Sequence, residues 1–231
     1  MIEKEIHPVQ ARILTALLFR PAARFSELNL TGLTNDHFSF HIRKLVEAGM
    51  VEKNEDGYQL TAKGKEFANR LDTETAKVER QPKTTVLVIG ARGGDGEREY
   101  LVQQRLKQPY YGYHGFISGK VRWGEKIGET VRRELTEESG LIGMPKLLGV
   151  EHKIDVKEGV VLEDKYFYIY LVENPSGELL VDFEGGKNLW LTEAKIVKLD
   201  KLFGDMVDLL NFVKDGREFG FLEKVFEIGE Y

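Results

Sequence analysis

Five glutamates crowd one short stretch of the chain, in which residues 119–141 read GKVRWGEKIGETVRRELTEESGL. Glu134, Glu137 and Glu138 lie three and four residues apart, and Glu129 lies a turn earlier. On a helix such carboxylates are neighbours, and each like-charged pair costs a few tenths of a kcal/mol. A hard divalent cation such as Mg²⁺ or Mn²⁺, which prefers oxygen ligands, would offset this repulsion. The spacing therefore predicts a metal site with open positions for phosphate oxygens and water.

The residues around the cluster predict the elements that would hold it. Glycines at 119, 124 and 128 favour a tight loop before a helix. The helix is expected over residues 128–139, and Gly140 is expected to end it in the left-handed conformation. The cluster would then lie on a helix that follows directly after a glycine-rich loop.

Apolar residues predict which side of this helix is packed. Val131 and Leu135 are four residues apart and therefore share one face. Glu134 and Glu138 lie beside them, where the pKa of a carboxyl group rises unless a cation compensates. Arg133 reaches one glutamate at four residues' distance and neutralises part of the negative charge.

The whole stretch follows a spaced pattern that resembles the signature of the MutT/Nudix family at each defined position. The pattern reads Gly119-x5-Glu125-x7-Arg133-Glu134-Leu135-x-Glu137-Glu138-x-Gly140-Leu141. As an order of strands and helices, the resemblance extends over about residues 84–215. It implies an α/β/α sandwich that hydrolyses nucleoside diphosphates linked to another group, with Mg²⁺ or Mn²⁺ as the cofactor.

The resemblance also implies a role for individual residues. It makes Glu134, Glu137 and Glu138 the metal ligands and Arg133 the residue that orients them. A further glutamate from a later loop often serves as a metal ligand or base in MutT-like members, and Glu184 in DFEGGKNLW is the candidate here. One glutamate must take the proton from the attacking water, and which one does so stays open.

The segment before the signature supplies candidate substrate-binding residues. Its aromatic rings would offer a platform for stacking a nucleotide base, with packing of the loop and core as the alternative. A phosphate contact by Arg105 has a surface strand position as its alternative. The substrate-binding candidates are Arg105, Tyr110, Tyr111, Tyr113, Phe116, Gly119 and Lys120.

The N-terminal third has a different pattern, with three predicted helices followed by a hairpin. Helices are expected over residues 8–20, 25–30 and 34–48. Asp56-Gly57 then favours a tight turn between two short strands. Another helix is expected to begin after Thr61. Three helices followed by a hairpin are typical of a winged helix-turn-helix domain.

Residues 8–70 resemble the winged-helix domains of the ArsR and MarR-like repressor families. The matching pieces are Ser39-x-His41-Ile42-x-x-Leu45, Glu47-Ala48-Gly49-Met50-Val51 and Leu60-Thr61-x-x-Gly64. The residues that could face double-stranded DNA are His37, Ser39, Arg43, Lys44 and Lys53. A protein-interaction or dimerisation module is the alternative, because residues 1–80 hold 12 basic and 12 acidic residues and Asp36 lies on the same helix.

Length and composition predict two domains in these 231 residues, a winged-helix domain over 1–80 and a Nudix domain over 81–231. The fold class is α+β or α/β. No apolar run reaches the roughly 18 residues of a membrane span, so no membrane partner is expected. The absence of cysteine excludes disulfides and thiolate zinc sites and is compatible with a cytoplasmic location.

Two functions compete on these observations. One is a hydrolase that its N-terminal domain tethers or regulates, and the other is a DNA-binding transcription regulator whose Nudix domain senses a nucleotide-type ligand. Regulators that join these domain types typically place the Nudix domain first and often have an eroded signature. The intact signature of this chain favours hydrolysis. The substrate stays open among diphosphate compounds. The oligomeric state also stays open, and a homodimer is one candidate because both domain classes commonly dimerise.

Overall fold

The structure is a computed structural model that describes residues 6–29, 32–94, 98–214 and 219–229. The chain separates into two compact units, Met1–Arg80 and Gln81–Tyr231. Within the described residues, no helix combines the length and the apolarity needed to cross a membrane.

The first unit contains four helices and one hairpin in its described part. Their bounds are α1 Pro8–Leu18, α2 Phe25–Leu28, α3 Asn35–Glu47, β1 Val51–Asn54, β2 Gly57–Leu60 and α4 Ala62–Ala68. The three predicted helices and the hairpin thus occur in the expected order. Leu30, at the end of the predicted second helix, lies outside the described residues.

Local sequence explains where these elements begin and turn. Pro8 opens α1, where its missing N–H is no loss, and His7 caps the helix by accepting from Val9 N at 3.2 Å. In the hairpin, Asn54 Oδ1 accepts from the backbone N–H of Gly57 at 3.0 Å. One apolar cluster joins α1 to α3 through Leu14, Phe38 and other residues, so these helices share a core.

The second unit is built on a mixed sheet with helices on both faces. Its strands are β3 Lys83–Arg92, β4 Glu99–Arg105, β5 His114–Gly115, β6 Ile117–Lys120, β7 Pro145–Lys157, β8 Val160–Glu173, β9 Asp182–Phe183, β10 Gly186–Thr192 and β11 Gly220–Glu227. Its helices are α5 Ile127–Ser139, α6 Glu193–Ile196 and α7 Met206–Lys214.

The strand order β11-β7-β8-β3-β4-β10-β9 places β3 near the middle of the sheet, with β5 paired to β4 and β6 to β3. Side chains alternate between the faces of a strand. Val86 and Val88 of β3 join the apolar cluster that contains α5. Leu87 and Ile89 join the cluster that contains α7. The sheet is therefore a middle layer between two helical layers.

For the second unit, the sequence also predicts strands over 147–153 and 166–172, a helix over 202–213 and a turn at GARGGDGE after the first strand, and several of these elements have different bounds in the structure. The strands expected over 147–153 and 166–172 are parts of the longer β7 and β8, which pair along most of their length. The helix expected over 202–213 begins only at Met206, because Gly204 and the turn around it precede it. Strand β11 was not predicted, although FGFLEKVFE shows some alternation. The predicted turn after β3 includes residues 95–97, which lie outside the described residues.

Candidate active site

Helix α5 carries the predicted acid cluster and is anchored by its apolar side. Val131 and Leu135 are buried against the sheet. At the N-terminus, the Glu129 carboxylate accepts from the Lys126 backbone N–H at 3.3 Å, so this glutamate caps the helix. At the other end, Gly140 is left-handed with φ of 71°. The predicted helix and its stop are confirmed.

Arg133 is the centre of an ion-pair network that holds the loop before α5 against the helix. Its guanidinium donates to both Glu125 oxygens, from Nε at 2.7 Å and from Nη2 at 2.9 Å. Nη1 donates to Glu134 at 2.6 Å and to Glu137 at 3.2 Å. The hydrogen bonds from Arg133 lower the pKa of Glu125 to about 2. The network offsets much of the repulsion among the glutamates.

Glu134 lies against the backbone of β6, and this contact explains the glycine that opens the signature. A Cβ atom added to Gly119 would lie 1.9 Å from Glu134 Cδ and 2.0 Å from its Oε1. Such separations are well inside van der Waals contact, so any larger residue would displace the carboxylate. Gly119 is therefore needed for space.

Glu138 is half-buried in the cavity wall. Burial raises the pKa of its carboxyl group, and the hydrogen bond from Gln103 Nε2, 3.0 Å long, opposes that rise. A nearby cation would favour the ionised form. Gln103, on β4, is a site residue that the sequence analysis missed.

The three glutamates line one wall of a cavity of about 650 Å³. A second wall consists of residues from β3, β7 and β8, and the segment after β4 forms a further part. Gly119 and Lys120 line the cavity next to the glutamates, as does Arg122. The cavity is large enough for a nucleotide-sized ligand.

The predicted substrate-binding residues have different positions relative to this cavity. Arg105, Tyr110 and Phe116 line it, whereas Tyr113 is not part of the wall and Tyr111 is 54% exposed outside it. Phe116 belongs to the buried core.

Arg105 and Tyr110 organise the loop that follows β4. The Arg105 guanidinium donates to the carbonyl oxygens of Pro109 at 2.6 Å and Gln108 at 3.2 Å. The Tyr110 hydroxyl donates to Asp155 at 2.6 Å in a buried contact. Both side chains thus have structural partners in the cavity wall.

Glu184 lies in the turn between β9 and β10, where its side chain is exposed and is not part of the cavity wall. The structure therefore does not bring it together with the three glutamates of α5. A role for Glu184 stays a prediction from the resemblance alone.

In the first unit, the predicted DNA-facing residues His37, Ser39, Arg43 and Lys44 are exposed on α3. Glu47 forms ion pairs with Lys44 at 2.7 Å and Arg43 at 3.9 Å, which reduces the positive charge of this surface.

The hairpin adds a basic residue to the same unit. Lys53 is exposed on β1, and it lines a shallow surface pocket together with Ser39 and Arg24. Arg24 was not predicted, because it precedes α2 and has no helical pattern to mark its face.

The donor chemistry of the acid cluster fits a hard divalent cation, since its side chains offer only oxygens. In the part of the chain that the structure describes, no group of three or more Asp, Glu or His side chains converges closely enough to hold a metal ion. Arg133 holds Glu134 and Glu137, and Gln103 holds Glu138. A cation would therefore require these carboxylates to rotate away from their present partners.

Comparison with protein families decides the identity of the second unit. The family model described as the NUDIX domain matches residues 81–215, which is more than half of the chain. The chain belongs to the Nudix family. The family prediction made from the signature is thus confirmed. Among curated proteins, none matches the chain significantly.

Solved Nudix structures resemble the chain over this domain. The NUDIX domain of Shewanella oneidensis NrtR, complexed with ADP ribose, has 16% identity and a TM-score of 0.52, and the match covers 65% of this chain and 96% of that one. This likeness shows a shared fold.

Two further structures match with lower TM-scores. The MutT NUDIX hydrolase from Burkholderia pseudomallei has 28% identity and a TM-score of 0.47, covering 58% of this chain and 99% of that one. The C. elegans Ap4A hydrolase binary complex has 18% identity and a TM-score of 0.45, covering 58% and 96%.

Proposed function

We propose that the protein is a Mg²⁺- or Mn²⁺-dependent pyrophosphohydrolase that cleaves a nucleoside diphosphate linked to another group. The observation that carries this proposal is the complete signature, whose three helical glutamates line one cavity of a Nudix domain. Glu134, Glu137 and Glu138 would hold the metal, which when bound neutralises phosphate charge and acidifies a water molecule.

Residues of this chain would prepare the site for that reaction. Arg133 orients two of the glutamates, and its pairing with Glu125 fixes the loop that brings Lys120 and Arg122 to the cavity. Lys120 and Arg122, which line the cavity, would bind phosphate oxygens of the substrate. Glu138, whose pKa is raised by burial, is a candidate for the base that takes the proton from water.

The test is hydrolysis of a set of diphosphate compounds with Mg²⁺, beginning with ADP-ribose because the NrtR domain is complexed with it. Glu138→Gln is expected to lower the rate by at least about 100-fold, as for the loss of a ligand and base. A wild-type rate that is unchanged in EDTA contradicts the proposal.

For the first unit, we propose a winged-helix domain that binds double-stranded DNA. The affinity of this binding would depend on whether a nucleotide occupies the Nudix domain. The order of helices and hairpin supports this assignment, as does the exposed surface shared by Arg24, Ser39 and Lys53. A DNA-binding regulator that senses the nucleotide is the second candidate function, and the two are compatible. A cytoplasmic location and a homodimer remain predictions from the sequence.

A further inference from the structure

Three lysines occupy one level of the sheet on neighbouring strands. Lys83 of β3 is paired with Lys165 of β8, and Lys165 is paired with Lys153 of β7. Directly paired residues point to the same face of a sheet, and all three lysines line the cavity that contains the signature glutamates. Like charges directly opposite each other destabilise a sheet, so this lysine row needs compensation.

Two of the three lysines have their own carboxylate. Lys153 Nζ donates to Asp205 at 2.7 Å in a buried pair. Lys83 donates to Glu163, which is also buried. The nearby Asp155 accepts a hydrogen bond from the Tyr110 hydroxyl. The carboxylates of this wall are therefore already engaged.

Lys165 differs from its two neighbours. Its side chain is only 20% exposed, and its closest carboxylate oxygen, on Glu163, is 3.5 Å away and is shared with Lys83. Within the described residues its ammonium donates no hydrogen bond, although it has three donors. Burial lowers the pKa of Lys165; the charges of Glu163 and Asp155 oppose this change, and those of Lys83 and Lys153 add to it.

We propose that Lys165, supported by Lys83, binds an anionic substituent on the group that is linked to the diphosphate of the substrate. This rests on the proposed hydrolase function, since both walls belong to one cavity. A carboxylate or a phosphate would supply the acceptor oxygens that Lys165 lacks. A charge-assisted hydrogen bond in a buried site is the strong kind.

Hydrolysis of matched compounds tests the proposal. UDP-glucuronate and UDP-glucose differ by a carboxylate on the linked sugar, and ADP-ribose 1″-phosphate and ADP-ribose differ by a phosphate on the linked ribose, so the two arms distinguish the two anions. The wild type is expected to prefer the anionic member of at least one pair in kcat/KM. Lys165→Met should lower kcat/KM for that member by about 10- to 100-fold and leave the neutral member nearly unchanged.

Two control variants separate binding from structure. Lys165→Arg keeps the charge and should keep most of the preference. Lys146→Met removes an exposed lysine of β7 outside the cavity and should change neither compound. Since Glu163 retains Lys83 in the Lys165→Met variant, no buried carboxylate loses all its partners and folding is expected to persist.

Calorimetric binding of the same compounds in EDTA makes the inference independent of catalysis. If the wild type binds the anionic member more tightly and Lys165→Met does not, the subsite is supported. This holds even if no compound is cleaved, and that result would contradict only the hydrolase proposal. Equal losses for both members, or a preference that survives in Lys165→Met, overturn the subsite and leave the hydrolase proposal intact. The absence of any preference in wild-type binding and hydrolysis also overturns it.

Discussion

At the residue scale, the site depends on close contacts that set the resting positions of its glutamates. The Glu134 carboxylate lies against Gly119, and Arg133 holds it in place from the helix. Glu138 is half-buried and accepts a hydrogen bond from Gln103. Because a catalytic carboxylate that moves by about 1 Å can lose most of its effect, these contacts matter for the rate as well as for the fold.

Gly119→Ala should lower the hydrolysis rate by about 10-fold or more, because the new methyl group displaces the Glu134 carboxylate. The matched control is Gly128→Ala in the first turn of α5, where an added Cβ has no neighbouring atom within 4 Å. Steady-state rates of the two variants give the comparison, and equal rates would refute the role of Gly119.

Glu151 gives a prediction of pH dependence. It is fully buried on β7, and both of its carboxylate oxygens have no hydrogen-bond partner among the described residues. Burial raises its pKa to about 8 from 4.5; the charges of Asp205, Asp208 and Asp155 add to the rise, and that of Lys153 opposes it.

The folded protein therefore keeps the Glu151 proton over a pH range in which the unfolded chain has lost it. Stability should fall as pH rises from 4.5 toward about 8, because the unfolded state binds fewer protons over that range. Glu151→Gln should remove this part of the fall, so its advantage over the wild type should grow with pH. Urea unfolding at pH 5 and pH 8 measures the difference, and parallel pH profiles would contradict the assignment.

At the element scale, the site is a loop and a helix held together by one arginine. Arg133 joins α5 to Glu125 in the preceding loop and also donates to the Lys120 carbonyl oxygen at 3.3 Å, at the end of β6. This geometry uses the planar fork of the guanidinium, which an ammonium group does not reproduce.

Arg133→Lys should therefore lower the rate by about 10- to 100-fold, with Arg132→Lys at the exposed neighbouring position as the control. The ion pair also has a pH signature. It stabilises the fold above pH 4.5, and this contribution is lost as pH falls toward the Glu125 pKa of about 2. Equal activity of the two variants would show that Arg133 does not position the loop.

At the scale of the whole molecule, the chain consists of two units with separate apolar cores. The described residues between Arg80 and the start of β3 are exposed and belong to no helix or strand. Such segments are the preferred sites of proteolytic cleavage.

Brief trypsin digestion should cleave after Arg80 and release a fragment that begins at Gln81 and resists further cleavage. The fragment should retain the hydrolase activity of the full chain, since all residues proposed for the reaction lie in it. Mass spectrometry and rate measurements test both points. Cleavage spread over many sites, or an inactive fragment, would argue against two independent domains.

DNA binding is the corresponding test of the first unit. Arg43→Ala should weaken salt-sensitive binding to double-stranded DNA and reduce the slope of log affinity against log salt by about 1, as for one lost phosphate contact. Lys77→Ala, outside α3 and the hairpin, is the control. If no genomic fragment binds at low salt, a protein-interaction role is favoured.

The sequence by itself determined the family, the helix that carries the glutamates and the role of Arg133 as their partner. These features depend on spacing within about twenty residues, so the local backbone geometry is enough to relate them.

Only the tertiary structure decided which distant residues share the cavity. The row formed by Lys83, Lys165 and Lys153 depends on the register of three strands that are far apart along the chain. The separation of Glu184 from the cavity wall depends likewise on how β10 pairs with β4 and β9. Strand pairing is a long-range property, because a shift of one residue exchanges the faces, and no local pattern encodes it.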